Sequence, residues 1–229
     1  MAIITGKFSS GSAEVLNGTA ENDIIFPLGG WDVVNGGAGI DTVVVGANRA
    51  NFKVSANANL SFVDAISGAS ALKDTTDLNS VERVEFNDVS VALDLATHQA
   101  GGQTALLIGA VLGQAALSTK KPLVGDVLEL FDSGFTLQQL SGAVMRLDIW
   151  GVLANGGAAS ASNTQIASYL LTTVNGRAPD ATTLAAAVDA LNSEIGDAQG
   201  TFLRHLAESV ANQSQVNLVG LIDTGLAFV

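Results

Sequence analysis

Acidic side chains recur at an unbroken spacing of nine residues near the start of this 229-residue chain, at Glu14, Asp23, Asp32 and Asp41. Each is followed two residues later by an aliphatic: Leu16, Ile25, Val34 and Val43. The stretch Gly36-Gly37-Ala38-Gly39-Ile40-Asp41-Thr42-Val43-Val44 fills every fixed position of the pattern G-G-x-G-x-D-x-U-x, where U is a large aliphatic. The preceding nonapeptide keeps Gly30, Asp32 and Val34 but has Pro27-Leu28 in place of two glycines. The one before that keeps Gly18, Asp23 and Ile25, with Thr19 and Glu21 where glycines are expected.

The chemistry open to such a series is oxygen ligation of a hard cation. If two nonapeptides complete one coil, acids eighteen residues apart stack, Asp23 on Asp41 and Glu14 on Asp32, about 4.8 Å apart by strand spacing. Two carboxylates at that distance repel by about 3–4 kcal/mol at an effective dielectric of ~20. A divalent ion reverses the sign by accepting carboxylate and carbonyl oxygens together. The expected carbonyl donors are the second and fourth residues of each turn: Thr19 and Glu21, Leu28 and Gly30, Gly37 and Gly39. A flexible oxygen cage suits Ca2+ better than Mg2+, which demands tight octahedral geometry. Gly-Asp turns also join ordinary antiparallel strands at a hairpin period of nine, so plain turns are the competing reading.

Positioning these acids requires a turn of about six residues, with glycine where φ is positive, and then a short strand whose aliphatic points between two layers. The rest of the first half has the same texture. Phe52-Lys53-Val54-Ser55, Leu60-Ser61-Phe62-Val63 and Val81-Glu82-Arg83-Val84-Glu85-Phe86 alternate as strands do. Beyond Gly101-Gly102 the composition shifts to Ala, Leu and Gln at helical spacing. Leu137, Leu140, Val144, Leu147 and Gly151 share one helical face, opened by a Thr136/Gln139 capping box. A helix through Tyr169, Leu170 and Val174 stops at Asn175-Gly176. Asp180 and Asp197 are expected to cap two further helices. The expected fold is therefore α+β, with a strand-rich region over 1–100 and an all-helical domain over 101–229.

Composition narrows the partners. A formal charge of −12 argues against nucleic acid and anionic lipid and leaves cations as natural partners. Without cysteine there are no disulfides and no thiolate sites. The most apolar stretch, Thr104 to Leu117, falls short of the ~20 residues of a membrane span and reads as a buried core helix. No basic, apolar leader opens the sequence.

No catalytic constellation emerges. His98 and His205 are isolated, and there is no H-E-x-x-H, G-x-S-x-G, P-loop or dinucleotide fingerprint. Asp74 with Asp77 reads as a turn start, and Glu82 with Glu85 as a strand face shared with Arg83. Trp31 and Trp150 are single aromatics with no stacking platform. The expectation is a protein that is not an enzyme.

The nonapeptide is an established signature of calcium-binding parallel β-helices, and the segment resembles the RTX proteins, secreted bacterial proteins whose glycine-rich repeats bind calcium in a parallel β-roll. The likeness continues through V-E-R-x-x-F-x-D at Val81–Asp88 and A-L-D at Ala92–Asp94. The helical half resembles a domain of unknown function often attached to RTX proteins, through Tyr169, Gly176-Arg177-Ala178-Pro179-Asp180 and Glu208-Ser209. Arg177 and Asp180 read as bridging or capping residues there. The resemblance implies a short β-roll and a type I exporter of a Gram-negative cell as partner. It also implies an uncleaved C-terminal secretion signal, for which Leu221–Val229 is the candidate; a final docked helix is the alternative. The implied role is a secreted, calcium-binding structural or interaction protein of the cell surface or extracellular space, with self-association or a surface partner. A C-terminal calcium and export module of a larger toxin, adhesin or enzyme is the second reading. A small extracellular enzyme with an unrecognised site is the third.

Overall fold

A computed structural model describes residues 1–7, 13–57, 60–65, 75–193 and 195–229. The chain divides into two compact units. The first comprises Met1–Gly102, Lys121–Gly125 and Val219–Val229, and the second Gln103–Lys120 and Asp126–Leu218.

In the first unit the repeat strands alternate between two sheets. They are β2 (Val15–Asn17), β3 (Ile24–Phe26), β4 (Trp31–Asn35) and β5 (Thr42–Val44), preceded by β1 (Ile3–Thr5). After them come β6 (Phe52–Asn57), β7 (Leu60–Ala65), β8 (Thr75–Asn79), β9 (Arg83–Glu85), β10 (Ser90–Ala92) and, at the chain end, β11 (Leu226–Phe228). One sheet has the order β1-β3-β5-β9-β10-β11 and the other β2-β4-β8-β7-β6. β3 pairs with β5 in parallel, Ile25 opposite Val43, and β2 with β4, Leu16 opposite Val34. Two nonapeptides therefore separate paired strands, as the stacking argument requires.

Neither sheet is parallel throughout, and the short β-roll implied by the resemblance is not shown as such. Both are mixed, because the nine-residue period ends at Val44 and the chain then turns back on itself. β6–β7, β7–β8, β9–β10 and β10–β11 are antiparallel. The repeat aliphatics all face the interior: Leu16 is 9% exposed, and Ile25, Val34 and Val43 are fully buried. Leu78 and Val84 extend the two columns, opposite Val34 and Val43. Each such side chain contributes about 1.5–3 kcal/mol on burial.

The fold is α+β. Among the described residues, ten helices occupy the C-terminal half. The exception to the all-helical expectation is β11, which pairs with β10, Val91 opposite Ala227. The end of the chain is thus a strand and not a docked helix. Gly225, at φ +72°, permits its entry, since a Cβ there would collide with Val91.

In the second unit the Thr136/Gln139 capping box opens the helix Leu137–Met145. That helix stops short of Leu147, which is half exposed. Gly151 belongs to a separate short helix, Trp150–Ala154. The expected single face is therefore broken between two helices. Gly176, at φ +66°, ends the helix Asn163–Asn175, and Asp180 caps Ala181–Asn192 through the Thr183 N–H at 2.8 Å. Asp197 does not cap: its carboxylate instead accepts from Arg146 at 3.0 Å and Gln138 at 3.1 Å. No helix among the described residues is long and apolar enough to cross a membrane.

Candidate metal centre

Parallel pairing eighteen residues apart places the acids in two columns, one at the edge of each sheet. Asp23, Asp32 and Asp41 are 1%, 2% and 0% exposed, so three carboxylates are removed from water within a few turns of chain. Glu14 is half-buried.

Each carboxylate is engaged by the backbone of the coil before it. The Asp23 N–H donates to Asp41 Oδ1 at 2.8 Å, and the Glu14 N–H to Asp32 Oδ1 at 3.0 Å. Asp23 Oδ1 accepts from the Ala2 N–H, and Asp23 Oδ2 from the Thr19 N–H at 2.6 Å and the Thr19 hydroxyl at 2.8 Å. Glu14 Oε2 accepts from the Lys7 N–H at 2.6 Å. The pairs Asp23/Asp41 and Glu14/Asp32 are thus brought together as the spacing predicts.

Asp41 Oδ2 is buried and has no hydrogen-bond partner. An orphaned, buried carboxylate oxygen is costly unless a cation or proton satisfies it. Burial pushes the Asp41 carboxyl above the usual carboxylate range; the Asp23 N–H opposes that shift and the Asp23 charge adds to it. Asp23 moves the other way, held below its ordinary value first by the Ala2 N–H and then, against burial, by Thr19.

The turns supply the rest of the cradle. Gly37 and Gly39 have φ of +115° and +117°, and a Cβ on Gly37 would strike the Thr19 carbonyl. The Ala38 N–H donates to the Thr19 carbonyl at 3.2 Å, and the Ile40 N–H to Asn22 Oδ1 at 2.9 Å. The turn 36–41 therefore lies directly on the turn 18–23. Of the other expected carbonyl donors, Gly30 accepts from the Thr75 N–H at 3.2 Å, Leu28 sits at φ +69°, and Glu21 turns its exposed side chain to the amino terminus. No three acidic, histidine or cysteine side chains converge among the described residues. A cation here would be held by paired carboxylates plus backbone carbonyls, the donor set that a hard, oxygen-seeking ion takes. The site fits calcium on that chemistry, and Asp41, Asp23 and the glycine carbonyls would be the holding groups. Bound there, the ion supplies the positive charge that stacked carboxylates lack.

Several contributors were not visible in the spacing. Glu82 Oε2 accepts the Asp41 N–H at 2.9 Å and so occupies the next place in the Asp23–Asp41 column. Glu82 precedes β9 while Arg83 and Glu85 lie in it, so the three do not share one strand face. Arg83 is 5% exposed and forms a 2.6 Å ion pair with Asp94. Burial and the neighbouring acids raise the Glu82 carboxyl, with Arg83 opposing. Asn17, Asn35 and Asn79 form a side-chain ladder on the other sheet, with links of 2.8 and 3.0 Å. Of the acid pair read as a turn start, Asp77 lies in β8 and Asp74 lies outside the described residues. Trp31 is exposed, whereas Trp150 is buried and donates Nε1–H to the Met145 carbonyl at 3.2 Å.

Stacked glycine turns, parallel short strands and inward acids define a cation-binding repeat. Residues 8–43 match the family model of the RTX calcium-binding nonapeptide repeat (4 copies). The chain carries RTX-type repeats, and their ion is Ca2+. No curated protein and no solved structure matches the chain.

Proposed function

We propose that the first unit is a short β-roll whose folding is coupled to calcium, within a structural or interaction protein that works outside the cell and not as an enzyme. The observation that carries this reading is Asp41: fully buried, stacked on Asp23, with one oxygen that no protein group satisfies. Without a cation the stacked acids oppose the coil; with one, binding free energy becomes folding free energy. At a hundredfold excess of calcium over Kd each ion adds about 2.7 kcal/mol. Such a chain stays open and threadable where calcium is scarce and folds where it is abundant. That behaviour suits export through a type I exporter of a Gram-negative cell, with a surface partner or a second copy of the chain as the eventual ligand.

Thermal unfolding followed by circular dichroism tests the reading. Calcium should raise the melting temperature and equimolar magnesium should not. Asp32→Ala combined with Asp41→Ala should remove most of the gain. Identical unfolding in chelator and in calcium rejects it.

A further inference from the structure

The column of acids does not end where the repeat ends. Asn17-Gly18 leads to Asp23 and Asn35-Gly36 leads to Asp41, in both cases with the acid six residues after the asparagine. The next step is Asn79-Ser80, with Glu82 only three residues on. Asn79 nevertheless pairs with Asn35 in one sheet, and the strand after Glu82 pairs with the strand after Asp41 in the other, Arg83 opposite Thr42. The corner Asn79–Glu82 therefore replaces a nonapeptide turn with a shorter one. The longer side chain of glutamate reaches back to accept the Asp41 N–H at 2.9 Å, as Asp41 accepts that of Asp23.

The space in front of Gly36 shows what this corner faces. A Cβ built on Gly36 would lie 2.6 Å from Asp41 Oδ2 and would collide with the Ser80 carbonyl oxygen. The same construction on Gly18 meets the Gly36 carbonyl and, at 3.0 Å, Asp23 Oδ2. Ser80 thus takes the place that the first glycine of a following repeat would take. The difference is that Asp23 Oδ2 is satisfied by Thr19, whereas the fully buried Asp41 Oδ2 has no hydrogen-bond partner.

We propose that a calcium site lies between the last nonapeptide turn, Gly36–Asp41, and the corner Asn79–Glu82, held by the carboxylates of Asp41 and Glu82 and the carbonyl of Ser80. It rests on the reading that the nonapeptide turns bind calcium, and adds a ligand from outside the repeat. The site closes the stack and links it to the buried Arg83–Asp94 pair one residue away.

Calorimetric titration of the full chain with calcium alone tests it, comparing wild type, Glu82→Gln and Glu85→Gln. The Glu82→Gln amide keeps an acceptor for the Asp41 N–H and loses only the charge; Glu85 is an exposed acid on the adjacent strand. The expected result is that Glu82→Gln loses one calcium equivalent, or binds it at least tenfold more weakly, while Glu85→Gln matches wild type. Circular dichroism in saturating calcium, read against wild type, reports whether Glu82→Gln folds. If it does not, Glu82→Asp, which keeps the charge but shortens the reach, is titrated, and the same tenfold weakening is expected. Wild-type stoichiometry and affinity in the Glu82 variant overturns this site and leaves the repeat reading intact. A wild-type chain that takes up no calcium overturns both.

Discussion

The Asp41 N–H donates to Glu82 Oε2 at 2.9 Å, across 41 residues of chain, and Asp41 Oδ1 in turn accepts the Asp23 N–H at 2.8 Å. Backbone donors and carboxylate acceptors thus run in one direction along the column, each acid tying its coil to the one before. Asp41 Oδ2 is left as an oxygen that only a proton or a cation can satisfy.

The protonation states of the column make the metal-free protein pH-sensitive in two opposed ways. Burial raises Asp41 and Glu82, so their contribution favours the fold while they are protonated and is lost as pH rises through the raised values. Backbone donors lower Asp23, so its contribution is present above the ordinary carboxylate value and is lost as pH falls through the lowered one. In excess chelator, Asp41→Asn should flatten the fall in melting temperature as pH rises above the ordinary carboxylate value of about 4. Melting curves across that range, read against wild type, check this; parallel profiles would contradict it.

Close stacking of the turns makes Gly37 intolerant of a side chain. Gly37→Ala puts a Cβ against the Thr19 carbonyl at a backbone angle of φ +115°. We expect it to cost about 1–3 kcal/mol and to weaken calcium binding. Gly46→Ala is the control, because nothing lies within 4 Å of its added Cβ. Urea unfolding of the two variants separates a steric cause from loss of glycine in general.

Arg83 and Asp94 are each 6% exposed in their side chains and 2.6 Å apart. Arg83→Met leaves a buried carboxylate without its cation and should cost about 3–5 kcal/mol. Adding Asp94→Leu should restore much of that. A double-mutant cycle by denaturant unfolding measures the coupling; additive losses would show that the pair acts as two independent side chains.

Apolar packing and ion binding should be separable. Leu78 is 2% exposed and lies opposite Val34, outside the repeat. Leu78→Ala should cost about 2–5 kcal/mol in calcium and in chelator alike, and the calcium-induced rise in melting temperature should survive. Loss of that rise in this variant would mean that the core, and not the acid column, senses the ion.

Much of this was legible because the repeat encodes position twice. The aliphatics at 16, 25, 34 and 43 mark the core, and the acids two residues earlier mark the edge; that the strands pair in parallel was implied by the resemblance, since the same spacing also suits antiparallel hairpins. Glu82 was illegible for the same reason: the antiparallel excursion through β6 and β7 intervenes, and a three-residue corner replaces a six-residue one. The asparagine ladder begins on period, at Asn17 and Asn35, and leaves it at Asn79. β11 was missed because three residues are too few to show a period, and its pairing depends on β10, more than 130 residues earlier. Asp197 looked like a cap because the residue type suits one; its carboxylate is instead engaged by Arg146 and Gln138.

The central claim is that a dication completes the stacked turns at Asp41. A crystal structure of the full chain grown in calcium tests it most directly. The account predicts an ion about 2.3–2.6 Å from Asp41 Oδ2, with the Asp23 N–H still donating to Asp41 Oδ1. A structure from the same conditions in which Asp41 Oδ2 touches only protein atoms would contradict it.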